Sequence, residues 1–339
     1  MTANAPAGLR PPALKFFGAF AVIYFVWGST YLFIRFAIET IPPFVMAGAR
    51  HTLAGLILYG WSRWRGEARP SGAQWASAAV LGGLMLFGGN GGVTWAQQTV
   101  ASGVTALIVA AVPLWMAVLD WVGPGGQRPG ARVIFGLVLG FAGIALLIGP
   151  AGLGGERVDI QGALVLVGAS LSWAIGSLYS RQARLPASIV LAMATQSLAG
   201  GALLFLAAIP AGHWARFDVA AISLRSAGAL LMLVVAGSIL GFTCYLWLLR
   251  VTSAARVSTY AYVNPVFALL LGWLVAGERL APRALVASAI IVAAVVMIVS
   301  YRDARAAVGA DAPLRTEAPP PPRAETADLG CAAPAKGEL

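Results

Sequence analysis

The chain has 339 residues, of which 59% are hydrophobic and only 11% are charged, and its formal net charge is +10. A soluble domain carries about 25% charged and about 45–50% apolar residues, so this chain has too few polar side chains to cover a water-soluble globule. The composition excludes an ordinary soluble enzyme, an intrinsically disordered chain and a disulfide-stapled scaffold. Because a spanning helix needs about 20 apolar residues, the composition predicts an all-α integral membrane protein.

The basic residues do not form a nucleic-acid-binding face. Lys and Arg occur in ones, twos and threes between long apolar runs, without the continuous basic stripe that nucleic acid requires. The two cysteines, Cys244 and Cys331, are isolated and form no metal-ligand or disulfide pattern. We therefore expect no nucleic-acid partner, no metal and no cofactor, and we expect membrane lipids and a small-molecule substrate as partners.

Apolar runs of spanning length predict the helices in chain order. They cover residues 15–37, 44–62, 74–93, 103–122, 132–149, 160–181, 187–209, 226–248, 254–275 and 283–301. The first run is too long for a signal peptide and lacks a small-x-small cleavage site after it, so it is interpreted as a spanning helix. The sequence thus predicts ten transmembrane helices.

The charges between these runs predict the orientation. If the N-terminus is inside, the inner segments carry thirteen Lys and Arg residues and the outer segments carry six. Short basic loops stay in the cytoplasm. Both termini are therefore expected inside, in a multi-pass protein of the cell (inner) membrane.

The two halves of the chain share a repeated spacing. Trp27 and Arg35 are related as Trp-x7-Arg, and so are Trp173 and Arg181. Five helices in each half force the halves to enter the membrane with opposite polarity, which predicts two five-helix inverted-topology repeats, an arrangement common in secondary transporters.

This pattern divides the chain into four parts. They are a cytoplasmic N-terminal segment at 1–13, a first repeat at 14–150, a second repeat at 158–302 and a tail at 303–339. The tail contains a PPPP run and scattered charges of both signs, so it is expected to be disordered.

Two prolines are predicted to bend corresponding helices. Pro113 and Pro265 each follow a tryptophan by 18 residues, Trp95 and Trp247 respectively. A proline inside a helix removes one backbone hydrogen bond and kinks it. Kinks at matching places in two repeats indicate hinges beside a site at the membrane midplane, although packing kinks without a ligand role are an alternative.

Arg50 is a charge inside a predicted span. Placing an arginine at mid-bilayer costs on the order of 3 kcal/mol even on lenient scales, so a buried one usually faces a cavity or a partner. Three interpretations stay open: recognition of an anionic or carboxylate substrate, a gate ion pair with Glu39, and extension of the side chain to the outer interface.

The carboxylate side chains lie outside the middle of the predicted spans. They fall near span ends or in loops, at Glu39, Asp120, Glu156, Asp159 and Glu278. None lies mid-span, which argues against a buried carboxylate relay for protons or sodium. Nucleotide-binding and metal-hydrolase motifs are also missing from the sequence, so we do not expect an enzyme.

Aromatic and amide side chains within the spans are candidates for the lining of a substrate cavity. With Arg50, the predicted substrate-binding residues are Trp27, Tyr31, Asn90, Trp173, Tyr260 and Asn264. The alternative is that they form interfacial aromatic belts and interhelical hydrogen bonds.

Small residues in Gly136-x3-Gly140 and Gly237-x3-Gly241 predict tight helix contacts, within a monomer or between the subunits of a homodimer.

Two segments resemble a known family. VWGSTYLFIRFAIETIPPFVMAGAR at 26–50 and TSAARVSTYAYVNPVFALLLGWLVAGERL at 252–280 are similar to the two repeats of EamA-type drug/metabolite transporters (the DMT superfamily), and within them to YedA-like exporters. The resemblance covers about residues 14–302. It implies ten helices around a central cavity, and it matches Trp27, Arg50, Pro265 and Glu278 to motif positions.

The sequence and the resemblance together predict a secondary transporter of the inner membrane. It is expected to export or exchange small organic metabolites, amino acids or drugs by alternating access. The alternative is a flippase of a lipid-linked small molecule, because a lateral opening between helices leaves no mark in the sequence.

Overall fold

The computed structural model describes residues 13–123, 130–148, 158–251, 260–279 and 281–310, and all regular structure within them is helical. The helices are α1 (Ala13–Ala37), α2 (Pro43–Trp64), α3 (Gly72–Ala96), α4 (Ser102–Val122), α5 (Ala131–Ile148), α6 (Ile160–Tyr179), α7 (Ile189–Ala208), α8 (224–251), α9 (Tyr260–Ala276) and α10 (Pro282–Ala310). Each begins and ends within a few residues of a predicted run, except that α10 continues to Ala310 and the start of the run at 254–275 lies outside the described residues.

Seven of these segments are long and apolar enough to cross a membrane: α1, α3, α4, α5, α6, α7 and residues Leu224–Tyr245 of α8. Two shorter apolar helices, Val263–Ala276 and Pro282–Met297, lie in α9 and α10. The helix α2, which carries Arg50 and Arg63, is not among the seven. The described chain is therefore an all-helical integral membrane protein, and the number of ten spans stays a prediction.

Several helices begin at residues that are suited to capping. At the start of α3, Ser71 and Gln74 form a capping box, in which each side chain accepts a hydrogen bond from the other residue's backbone N–H. The side chains of Ser188 and Ser223 cap α7 and α8, each by accepting a hydrogen bond from the backbone N–H three residues further on. These bonds satisfy N–H groups that would otherwise lack partners at the helix ends, so the sequence sets the position of these ends locally.

Two helices contain long π-helical segments. In α3, the backbone is π-helical from Gly82 to Gly91 between α-helical ends. In α8, it is π-helical from Leu233 to Leu240. Such segments are rare, well under about 1% of residues, and they occur frequently at functional sites. No pattern in the sequence predicted them.

The two prolines have different local effects. The helix α4 is interrupted between Val109 and Val112, and Pro113 lies in the first turn after the interruption. There, its missing N–H removes no helical hydrogen bond. Pro265 lies inside α9, which remains one helix from Tyr260 to Ala276.

The helices α2 and α7 pack closely and run in opposite directions. A Cβ atom added to Gly48 would lie 2.6 Å from the ring of Phe205, and one added to Gly55 would lie 2.9 Å from Leu198 Cγ. These distances are shorter than carbon atoms tolerate, so the glycines are what allows the backbones to approach.

The helices α5 and α10 pack in the same way. A Cβ atom on Gly140 would meet the Cβ of Ala294 at 3.3 Å, and one on Gly143 would meet Ile291 Cγ1 at 2.8 Å. Later residues of α5 contact earlier residues of α10, so this pair is also antiparallel. The Gly136-x3-Gly140 spacing therefore provides at least one close helix contact within the chain.

Candidate substrate site

The guanidinium of Arg50 lies inside the helix bundle and joins three helices. Arg50 is 5% exposed. Its Nε donates a hydrogen bond to Ser238 Oγ at 3.1 Å, and its Nη1 donates one to Asn90 Oδ1 at 3.4 Å. Asn90 lies in the π-helical segment of α3 and Ser238 in that of α8. One side chain of α2 thus connects the two irregular segments.

Two of the alternatives for Arg50 are wrong. Glu39 does not pair with it, because the Glu39 carboxylate forms an ion pair with Arg225 at 3.3 Å, and the Arg225 guanidinium also lies 3.7 Å from the centre of the Phe36 ring. Extension to the outer interface is excluded by the burial of Arg50 within the protein. Recognition of an anion by Arg50 stays a prediction.

Trp27 is the centre of an aromatic cluster beside this arginine. Its Nε1 donates a hydrogen bond to the carbonyl oxygen of Gly237 at 3.2 Å. Its ring lies 5.2 Å from the ring of Phe242, 5.2 Å from Tyr245 and 5.0 Å from Tyr260, measured between centroids. The structure therefore brings Trp27 and Tyr260, both predicted site residues, into direct contact.

Two glycines of α8 allow Arg50 and Trp27 to approach the same helix. A Cβ atom on Gly237 would lie 3.3 Å from Arg50 Nη2, and one on Gly241 would lie 2.6 Å from Trp27 Nε1. The two positions are one helical turn apart. The Gly237-x3-Gly241 spacing, which the sequence associated only with helix packing, therefore lies against both candidate residues.

Asn264 lies at the contact between α9 and α1. It is 7% exposed, and its Oδ1 is buried without a hydrogen-bond donor in the described part of the chain. A Cβ atom on Gly28 would lie 3.5 Å from the Asn264 carbonyl oxygen and 2.7 Å from Phe267 Cβ. Because Gly28 follows Trp27, this part of α9 packs beside the aromatic cluster, and Asn264 Oδ1 is an acceptor without a partner there.

Tyr31 of α1 contacts the turn that follows α3, and Trp173 of α6 contacts α3 itself. The Tyr31 carbonyl oxygen accepts a hydrogen bond from Gln97 Nε2 at 3.0 Å, and the residue packs against the main hydrophobic core. A Cβ atom added to Gly89, the neighbour of Asn90, would lie 2.9 Å from the Trp173 ring of α6. Trp173 therefore borders α3, and Tyr31 borders the turn that follows it.

Sequence reasoning missed Ser238 and Phe242. Serine in an apolar helix is common and gives no signal by itself, and Phe242 resembles any other apolar residue of α8. Their roles follow from the approach of α8 to α1 and α2, which the sequence does not specify. A search for polar residues at equivalent positions of the two halves would have found Ser238. Asn90 lies 148 residues before it, which is close to the separation of Trp27 and Trp173.

Glu278 caps a helix of the other half of the chain. Its Oε1 accepts a hydrogen bond from the backbone N–H of Ser102 at 2.7 Å, and its Oε2 accepts one from Gly103 at 3.2 Å. Gly277 just before it has a φ of 67°, which favours glycine. The carboxylate therefore neutralises the positive end of α4 and is a structural residue.

We expect Glu278→Gln to lower the free energy of unfolding by about 1–2 kcal/mol, because a neutral amide weakens the interaction with the α4 N-terminus and offers only one oxygen. The melting temperature of the purified protein in detergent measures this. Glu39→Gln is the control, since its side chain is 39% exposed in an ion pair at the surface, and such pairs contribute less than about 1 kcal/mol. Equal losses in both variants would contradict the capping role.

Two titratable groups outside the spans stabilise loops. The Asp159 carboxylate accepts hydrogen bonds from Gly162 N–H and from the Thr99 hydroxyl, both at 2.8 Å, and these bonds lower the pKa of Asp159. His213 Nδ1 accepts a hydrogen bond from the Phe44 N–H at the start of α2. Burial, and secondarily the charge of Arg216, lowers the pKa of His213, which favours the neutral form that can accept this bond.

Among the residues that the structure describes, no three His, Cys, Asp or Glu side chains converge in a way that could hold a metal ion. The candidate site is thus a buried cation with amide, hydroxyl and aromatic neighbours. Such a set can bind an organic ligand and orient it.

The comparison with protein families decides the affiliation. The model of the EamA-like transporter family matches residues 16–149 and, a second time, residues 160–300. The chain belongs to the EamA-like transporter family. The resemblance noted in the two sequence segments is confirmed.

Curated relatives agree with this affiliation. The inner membrane transporter YedA of Escherichia coli (strain K12), described as uncharacterized, is 38% identical over 286 residues, which cover 84% of this chain and 90% of the relative. The uncharacterized transporter YvbV of Bacillus subtilis (strain 168) is 26% identical over 294 residues, 86% of this chain and 93% of the relative. This EamA member is therefore a multi-pass inner membrane protein with a transporter role.

Two further similarities are more distant. A chloroplastic WAT1-related protein of Arabidopsis thaliana is 26% identical over 281 residues, 81% of this chain and 67% of the relative. A solved crystal structure superposes with a TM-score of 0.58 at 21% identity, covering 88% of this chain and 99% of that one. This structural likeness supports the fold alone.

Proposed function

We propose that this EamA member is a secondary transporter that exports small organic metabolites, amino acids or drugs from the cytoplasm by alternating access. The observation that carries the proposal is the position of Arg50. It donates hydrogen bonds to the π-helical segments of both α3 and α8, so a ligand that engages Arg50 would act on both segments at once.

Helix pairing supports an inverted repeat. If α1–α5 correspond to α6–α10, then α2 is the counterpart of α7 and α5 that of α10, and both pairs are in antiparallel contact. The contacts of α1 with α8 and α9 likewise correspond to those of α6 with α3 and α4. The two matches of the family model to one chain agree with this division.

The π-helical segments occupy matching places in the two halves. They begin at Gly82 and Leu233 and end at Gly91 and Leu240. π-Helical turns inside α-helices occur frequently at functional sites. Rocking of one half against the other, with these segments as joints, is a mechanism that inverted-repeat transporters use.

The proposal is tested by the compounds that cells release. Cells producing wild type, Arg50→Ala or Arg50→Lys at matched membrane levels are compared by mass spectrometry of the medium. A compound that accumulates with wild type is expected to fall by roughly 10- to 100-fold with Arg50→Ala, since hydrogen bonds to a charged group contribute about 1.5–3 kcal/mol, and to fall less with Arg50→Lys.

Arg69→Ala is the matched control, because this arginine is exposed in the loop before α3 and is expected to leave export unchanged. A medium that is identical with wild type and with an empty vector, also after challenge with toxic organic compounds, would overturn the proposal. If the difference instead appears in membrane lipids, a flippase of a lipid-linked molecule replaces it.

A further inference from the structure

The charge of Arg50 is not neutralised by the protein residues around it. A guanidinium has five N–H donors, and Arg50 uses one for Ser238 and one for Asn90. Both acceptors are neutral. In the described ranges no carboxylate pairs with Arg50, since Glu39 pairs with Arg225 and Asp120 with Arg181.

An unpaired charge in this position is costly. Removing an isolated ion from water costs several kcal/mol even after relaxation, and neutral hydrogen-bond acceptors recover only part of that cost. A glutamine or methionine could connect or separate the same helices without the penalty. The charge itself is therefore the property that needs explaining, and a ligand of opposite charge explains it.

The surroundings of the guanidinium suit the remainder of such a ligand. At Gly237, the absence of a side chain lets the backbone of α8 lie close to Arg50 Nη2. The aromatic cluster around Trp27 begins one turn further along the same helix. An anionic group at Arg50 would thus have an apolar, aromatic surface beside it.

Polar atoms without partners lie on the same turn of α2. His51 is 2% exposed, and its Nε2 is buried without a hydrogen bond, as is the hydroxyl of Thr52. Buried polar groups are normally satisfied. These two side chains leave α2 in other directions than Arg50, because residues one and two positions apart on a helix do not face each other, and Thr52 Oγ1 lies against Gly201 of α7. A ligand is therefore inferred from the unpaired charge of Arg50.

We propose, on the basis of the transport function proposed above, that this site binds the carboxylate of a small organic monoanion with an apolar body. The carboxylate pairs with the free N–H groups of Arg50, while Asn90 and Ser238 hold the guanidinium in place. A single buried positive charge is balanced by one negative charge, so the site is expected to prefer monoanions to dianions, and neutral analogues of the same shape leave the arginine unpaired.

Benzoate and benzamide are the probes, because they have the same ring and similar size and differ in charge. The purified full-length protein is heated in detergent with each compound at equal concentration and ionic strength. Benzoate is expected to raise the melting temperature of wild type by a few degrees, as a ligand of the folded state does, and benzamide is not. In Arg50→Gln the effect of benzoate disappears, and in Arg50→Lys a smaller shift remains.

Arg69→Gln is the control and keeps the full benzoate shift. Equal shifts by benzoate and benzamide in wild type, or a benzoate shift that persists in Arg50→Gln, would overturn the proposal. If Arg50→Gln does not fold, the comparison of the two probes in wild type and Arg50→Lys decides.

The transport measurement separates this proposal from the one on which it rests. Compounds that wild-type cells release are expected to be monoanionic at neutral pH. Release of neutral or cationic compounds only would refute the anion site and leave the transporter intact. Selective benzoate binding without any released compound would refute export and leave the anion site intact.

Discussion

Replacing Trp27 by alanine is expected to lower the free energy of unfolding by about 3 kcal/mol, because large-to-small changes of a packed tryptophan leave a cavity among its neighbours. Here, those neighbours are the rings of Phe242, Tyr245 and Tyr260, and the indole also donates a hydrogen bond to Gly237. The melting temperature of the purified protein is the measurement. The effect is large because one side chain joins α1, α8 and α9.

Two variants make this result interpretable. Trp27→Phe retains a ring but no N–H donor, so we expect it to lose about 1 kcal/mol, the contribution of a typical hydrogen bond. Trp64→Ala is the matched control, since this tryptophan at the end of α2 is 75% exposed. If Trp27→Ala is as stable as Trp64→Ala and yet stops export, the ring contributes to ligand binding and not to packing.

The substitution Gly82→Ala is expected to cost about 3 kcal/mol or more and to reduce the amount of folded protein in the membrane. The added Cβ would lie 2.7 Å from the backbone nitrogen of Gly200 and 2.9 Å from the carbonyl oxygen of Gln196. Both atoms belong to the backbone of α7, which cannot move aside as a flexible side chain can. Overpacking of this kind typically costs about 1–3 kcal/mol, and a backbone obstacle places it at the upper end.

Gly168→Ala is the matched control for this change. Gly168 lies in the middle of α6, and a Cβ atom there would meet nothing within 4 Å. Alanine at such a helical position is expected to be neutral or to gain about 0.5–1 kcal/mol. The yield of folded protein from fluorescence-detected size-exclusion chromatography compares the two variants. Normal yield for Gly82→Ala would mean that α3 and α7 are further apart than described.

Much of the fold could be predicted from the sequence because membrane insertion is a local property. The length of an apolar run and the charges that flank it determine where a helix lies, so the predicted runs coincide with the helices of the structure. Capping is local as well, and Ser71, Ser188 and Ser223 each bond to a backbone group three residues further on.

The candidate site could be predicted only in part. The cost of a charge in a span drew attention to Arg50, and the aromatic pattern drew attention to Trp27 and Tyr260. The structure places these residues on neighbouring helices around Gly237 and Ser238. The roles of all seven predicted residues in substrate binding remain predictions, as do hinges at Pro113 and Pro265.

By itself, the sequence determined that this chain enters a membrane as a series of helices and that it belongs to a transporter family. Only the tertiary structure decided the partners of the charged groups: Arg50 bonds to α3 and α8, Glu39 pairs with Arg225, and Glu278 caps α4. The physical reason is the distance along the chain over which each interaction acts. Hydropathy and capping act within a few residues, whereas these partners are separated by 40 to 188 residues and meet only when the helices pack.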